Sequence, residues 1–165
     1  MREAEEAIDE AHLICAERVP GVSFEHLALH WRISTIGRMI QAEQAAVARQ
    51  EGLTINNAHL LLSLRLHAGP MRPSDLSGQH GLTNAGITGC LDRLEEDGLI
   101  YRTPSAHDRR VREVTLTEAG TRAADRLFQR CAQEIRALRI LQNMPPAARN
   151  LLNNQLRRLL KQLSG

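Results

Sequence analysis

Residues 82–100, LTNAGITGCLDRLEEDGLI, and the run that follows, 101–120, YRTPSAHDRRVREVTLTEAG, decide the fold. In the first run Ile87, Cys90, Leu91 and Leu94 recur at i, i+3, i+4 and i+7, the spacing that lines up one apolar face of an α-helix. Thr83 stands ahead of it as the N-cap and Gly98 behind it as the stop, so a helix is expected from about Asn84 to Asp97. The opposite face carries Asn84, Ala85, Thr88, Gly89 and Arg93. Gly86 and Gly89 each weaken a helix by about 0.8–1.0 kcal/mol relative to Ala, and two readings account for them. Either the glycines admit a closely packed neighbour, or that end is kept small so that it can approach a phosphate backbone and set Asn or Thr against base edges.

Upstream, RPSDLSGQHG reads as a short helix with Pro73 first, Ser74 and Asp75 in the first turn and Gly81 as its end. A short helix, a glycine turn and a longer helix make a helix-turn-helix. Downstream, Ile100 to Thr103 and Arg112 to Thr117 are β-prone runs around a Pro-, Ser-, Asp- and Arg-rich tip, expected as a hairpin. Arg102, Arg109, Arg110 and Arg112 face only Asp108, a local excess of three positive charges in a chain whose net charge is +2.

These motifs, with DRLE, GLI, D-R-R and LTEAG in order, resemble the winged helix-turn-helix core of the MarR family of bacterial transcriptional regulators. The resemblance covers about Leu53 to Gly120. It implies a mainly α fold with a small β-hairpin wing, a DNA-binding lobe over 53–120 and dimerisation helices over 3–50 and 121–163, all in one domain of 1–165. It also implies a cytoplasmic regulator, a repressor whose homodimer binds double-stranded DNA at a pseudo-palindromic operator and is released by a small-molecule effector. Two recognition helices related by a twofold axis reach successive major grooves, about 10 bp apart. The expected DNA-facing set is Ser74, Thr83, Asn84, Ala85, Gly86, Thr88, Gly89 and Arg93, with Asp108, Arg109, Arg110 and Arg112 from the wing. By the resemblance, Arg110 enters the minor groove and Asp108 orients it; a planar guanidinium suits a narrow groove better than an ammonium.

The remaining chain fits this layout. At 165 residues it is long enough for a sizeable core. Four aromatics, Phe24, Trp31, Tyr101 and Phe128, are too few for a single-strand binder that stacks bases. No apolar run reaches membrane-spanning length, and the N-terminus lacks a signal peptide pattern. Helices are expected over 3–18, 24–50, 55–68, Thr121 to Gln142 and Ala147 to Leu163. The last two carry more leucine than a small core can cover, which independently points to a second copy of the chain. No nucleophile elbow, phosphate loop, dinucleotide fingerprint or HExxH motif occurs, so neither an enzyme nor a cofactor is expected.

Other chemistries have partial signals. His26 and His30 lie one turn apart, a spacing that can hold zinc with help from His12, His59 or His67, but no acid or cysteine accompanies them and no metal is expected. Cys15 invites a peroxide-sensing reading; its neighbours are Glu17 and Arg18, and an inert buried thiol is the alternative, extended here to Cys90 and Cys131. The extra N-terminal helix resembles the urate-responsive branch of the family, yet it has no tryptophan and His59 stands where that branch has an acid. Trp31, Arg38 and His59 are the residues expected to line an effector pocket, against Trp31 as core and Arg38 as an ion-pair partner. The rival of another class is a winged helix that binds protein and not DNA.

Overall fold

A computed structural model describes residues 2–19, 21, 24–67, 69–105 and 111–164, the side chains of 2–5, 12, 16 and 17 not being among those described. The elements run α1 (Arg2–Arg18), α2 (Phe24–Gln50), α3 (Ile55–Leu66), α4 (Pro73–His80), α5 (Asn84–Glu96), β1 (Ile100–Pro104), β2 (Arg112–Leu116), α6 (Glu118–Glu134), α7 (Arg136–Asn143) and α8 (Pro146–Leu163). The chain divides into two compact units, residues 1–43 and 44–165. In the first, Arg32 of α2 is paired with Asp9 of α1, and Phe24 and Ala28 are buried. Among the described residues no helix is long and apolar enough to cross a membrane.

The second unit is built around one apolar cluster. Leu60, Leu61 and Leu64 of α3, Leu76 of α4, Ile87, Leu91 and Leu94 of α5, Ile100 and Val114 of the hairpin, and Ala124 and Leu127 of α6 are all buried together. The strands pair antiparallel from Ile100 opposite Leu116 to Pro104 opposite Arg112. Met71, just ahead of α4, exchanges both backbone hydrogen bonds with Val114, at 2.8 and 3.0 Å. The wing is thereby tied to the entrance of the helix-turn-helix.

Three element boundaries depart from the sequence expectation. Helix α3 stops at Leu66, not Ala68, because His67 turns extended (φ −82°, ψ 139°). The helix expected from Thr121 begins at Glu118, since the Thr117 hydroxyl caps it by accepting from Gly120 N at 2.9 Å. That helix is also two: Ile135 is extended (φ −72°, ψ 109°) and only 2% exposed, so burying its side chain in the cluster interrupts the helical run. No proline or glycine marks that break, which is why periodicity read straight through it. Along the second half of α6, Arg126 and Arg130 donate to Glu51, at 3.1 and 3.0 Å, and tie the end of α2 to α6.

The glycine of LTEAG has a steric reason. A Cβ on Gly120 would stand 1.8 Å from the Leu99 carbonyl oxygen, and the same carbonyl accepts from Thr117 N at 3.0 Å. Helix α6 therefore meets the root of β1 backbone to backbone. Alanine normally gains about 1 kcal/mol over glycine inside a helix. Here overpacking reverses the sign, and Gly120→Ala should destabilise the protein by about 1–3 kcal/mol in urea unfolding; unchanged or raised stability would show that the contact yields freely.

Candidate nucleic-acid interface

The rotation of α5 follows from its buried face. With Ile87, Leu91 and Leu94 in the core, Thr83, Asn84, Ala85, Gly86, Thr88, Gly89 and Arg93 are turned outward and exposed. Thr83 is extended (φ −67°, ψ 159°) and its hydroxyl accepts from Gly86 N at 3.1 Å. The Thr88 hydroxyl donates to Asn84 O at 2.9 Å, which leaves its oxygen free to accept. Among the described residues a Cβ on Gly89 would meet nothing within 4 Å, so packing against them does not call for that glycine; on Gly86 it would lie 3.3 Å from the Thr83 hydroxyl, crowding the cap itself. Of the two readings of these glycines, internal packing is thus set aside for Gly89.

Charge is graded along α5. Its first two turns hold no acid, and its N-terminal end carries the positive pole of the helix dipole. Its second half holds Asp92, Glu95 and Glu96, with Asp97 at the cap. Arg93, 64% exposed, reaches Asp97 at 3.2 Å and Glu96 at 3.7 Å, and pairs this open are weak enough to exchange for another anion. Ser74 is exposed in the first turn of α4, 3.5 Å from the Asp75 carboxylate, and Arg112 is exposed at the start of β2. Asp108, Arg109 and Arg110 lie outside the described residues. Arg102, counted with the basic tip from sequence, is turned the other way: it pairs with Asp92 at 2.6 Å and Glu95 at 3.4 Å.

The effector candidates fall in different units. Trp31 is half-buried and Arg38 exposed in the first, where Arg38 donates to the Thr35 hydroxyl at 3.1 Å. His59, in the second, stacks on His80 with ring centroids 6.0 Å apart, and His80 Nε2 shares a 2.9 Å hydrogen bond with the Ser63 hydroxyl. Sequence reading missed His80, because contact between α3 and α4 leaves no spacing signal. His26 and His30 are exposed on α2, and among the described residues no three His, Cys, Asp or Glu side chains converge to hold a metal. The cysteines, expected buried, are half-buried. Burial still pushes the Cys90 and Cys131 thiols up, with Glu134 adding to the effect at Cys131, which disfavours their reactive thiolates.

Against this geometry the MarR family model matches residues 53–111. Over that stretch the chain is similar to the MarR family. The MarR-like segment is 31% identical over 88 residues to the HTH-type transcriptional repressor MdtR of Bacillus subtilis, 53% of this chain and 56% of that protein. It is 30% identical over 103 residues to the transcriptional activatory protein BadR of Rhodopseudomonas palustris, 61% of this chain and 59% of that protein. The matches thus span little more than half the length of these two relatives. Among solved structures, CouR from Rhodococcus jostii bound to p-coumaroyl-CoA superposes with a TM-score of 0.71 at 25% identity, covering 82% of this chain and 90% of that one.

In the MarR-like lobe the His59–His80 stack has a measurable signature. Burial holds both imidazoles below their ordinary value of 6.5, and His80 adds repulsion at His59. The folded state therefore binds protons later than the unfolded chain as pH falls. The stability associated with neutral rings is complete above 6.5 and is lost as pH drops from there through the lowered folded values. Urea unfolding about one unit above and below 6.5 should show that loss in the natural protein and less of it in His80→Gln; the same loss in both would exclude the pair as its source.

Proposed function

We propose that the chain is a sequence-specific double-stranded-DNA-binding transcriptional regulator, a repressor whose homodimer reads a pseudo-palindromic operator and is released by a small-molecule effector. The observation that carries this reading is the N-terminal half of α5: exposed, free of acids, and with a glycine at 89 that no contact among the described residues requires. Asn84 and Thr88 there present short acceptors and donors to base edges, Arg93 pairs with phosphate, and Arg110 enters the minor groove under the control of Asp108. Ser74, Thr83 and Ala85 complete the approach with Gly86, and Arg109 and Arg112 add phosphate contacts. The relatives' names support transcriptional regulation, with repression taken from the first, and the CouR complex supports a ligand-responsive scaffold. Nothing in the reading calls for catalysis, and it places the protein with DNA in the cytoplasm.

The second copy has its own support. Leu29, Ile33, Ile36 and Met39 in the first unit, and Leu138, Leu151, Leu152, Leu156, Leu159, Leu160 and Leu163 in the second, are exposed, and α8 buries no residue at all. Covering a leucine contributes about 1.5–3 kcal/mol, so these faces favour association strongly. Trp31, Arg38 and His59 remain the effector candidates, without urate as the implied ligand.

Light scattering at micromolar concentration should give twice the chain mass; a stable monomer that binds a palindromic duplex would contradict the dimer. On a duplex enriched from a random library, Asn84→Ala should cost about 1–3 kcal/mol and relax base preference, whereas Arg93→Ala should weaken all duplexes alike. Arg110→Ala should lower affinity at least about tenfold, or 1.4 kcal/mol, and flatten the salt dependence by about one unit. Salt-independent binding, or none, would favour a protein-interaction module, because only phosphate neutralisation releases condensed counterions.

A further inference from the structure

The arginine that leaves the basic wing has a definite place. Arg102 sits on β1 opposite Val114, the residue through which β2 is bonded to Met71 at the entrance to α4. Its side chain is only 19% exposed and crosses to α5, where Nη2 lies 2.6 Å from Asp92 Oδ1 and Nε 3.4 Å from Glu95 Oε2. Its backbone N–H donates to Glu95 Oε1 at 3.2 Å. Asp92 and Glu95 are three apart, so both carboxylates stand on the flank of α5 that faces β1, one turn beyond Thr88 and Gly89. Lower down, the Thr117 hydroxyl donates to Gly98 O at 2.8 Å and Thr117 N to Leu99 O at 3.0 Å. The hairpin root is thus held by the hydroxyl and amide of Thr117 at its foot and by one guanidinium, spread over two acids, higher on β1.

We propose that Arg102 is a positioning residue for DNA recognition: its clamp on Asp92 and Glu95 sets the angle between recognition helix and wing, so that α5 and the hairpin engage one operator half-site together. This rests on the DNA-binding reading above. A strand rises about 3.4 Å per residue, so a tilt permitted at the root grows with every residue outward. The wing's target is narrow, about 6 Å across the minor groove, and tolerates little of that error. The guanidinium is already engaged by two carboxylates, so it neutralises no phosphate. Its loss therefore weakens the selective complex without altering the number of counterions released.

The test uses the full chain, a duplex that the natural protein enriches from a random-sequence library, and a scrambled duplex of equal length. Three proteins are compared with the natural one: Arg102→Ala, the near-isosteric double variant Asp92→Asn/Glu95→Gln, and the triple combination. Arg102→Ala and the double variant should each bind the enriched duplex roughly fivefold to tenfold more weakly, with less than about twofold change on the scrambled one. The salt slope should stay as in the natural protein, and the triple variant should be no weaker than either parent, because all three lose the same clamp. The double variant carries the decision where Arg102→Ala folds poorly: removing two acids near DNA favours binding on charge alone, and only loss of the clamp makes it unfavourable. Equal or tighter binding by the double variant, or a salt slope reduced by about one unit in Arg102→Ala, would overturn the proposal. Failure of the natural protein to enrich any duplex would instead strike the DNA reading, and the clamp's role with it.

Discussion

The burial of Ile87, Leu91 and Leu94 against α3 and α4 is the constraint on which the second unit depends. A helix has one rotation about its axis, and these side chains choose it. Once they are inside, Asn84, Thr88 and Arg93 have nowhere to go but outward. The same packing puts Asp92 and Glu95 beside β1 and carries the end of α5 to Gly98, whose φ of +68° reverses the chain into the hairpin. Core and recognition surface are two consequences of one period in the sequence.

Around that helix, contacts of different reach share the work. Met71 and Val114 join the hairpin to the helix-turn-helix by backbone bonds, and Gly120 lets α6 close on Leu99 without a side chain between them. Ion pairs refine what the backbone has brought together, Glu51 with Arg126 and Arg130 at one end, Arg102 with Asp92 and Glu95 at the other. Exposed pairs contribute little to stability, but a mostly covered arginine spanning two elements fixes an orientation. The apolar rows of α7 and α8 show the opposite condition, with Leu138, Ile140, Leu151, Leu156 and Leu160 left exposed.

Most of the lobe was legible in the sequence because its signals are local. The Thr83 cap, the Pro73 start, the Gly81 and Gly98 stops and the period of α5 each act within a few residues, and each stands where the sequence places it. What escaped depends on contacts distant in the chain. Ile135 breaks a helix because the core takes its side chain, without any breaker residue. His80 meets His59 and Arg102 meets Asp92 only after folding, so a charge count assigned Arg102 to the basic tip when its side chain pairs with α5. The face of α5 could be read, whereas the partners of its flank could not.

The central claim is that this face lies in the major groove. Methylation protection reads it directly, because dimethyl sulfate marks guanine N7, an atom displayed only there. On a duplex enriched by the protein, the account predicts protected guanines in two patches about 10 bp apart, one for each α5 of a dimer. Retention of the duplex with every guanine N7 still reactive would contradict it.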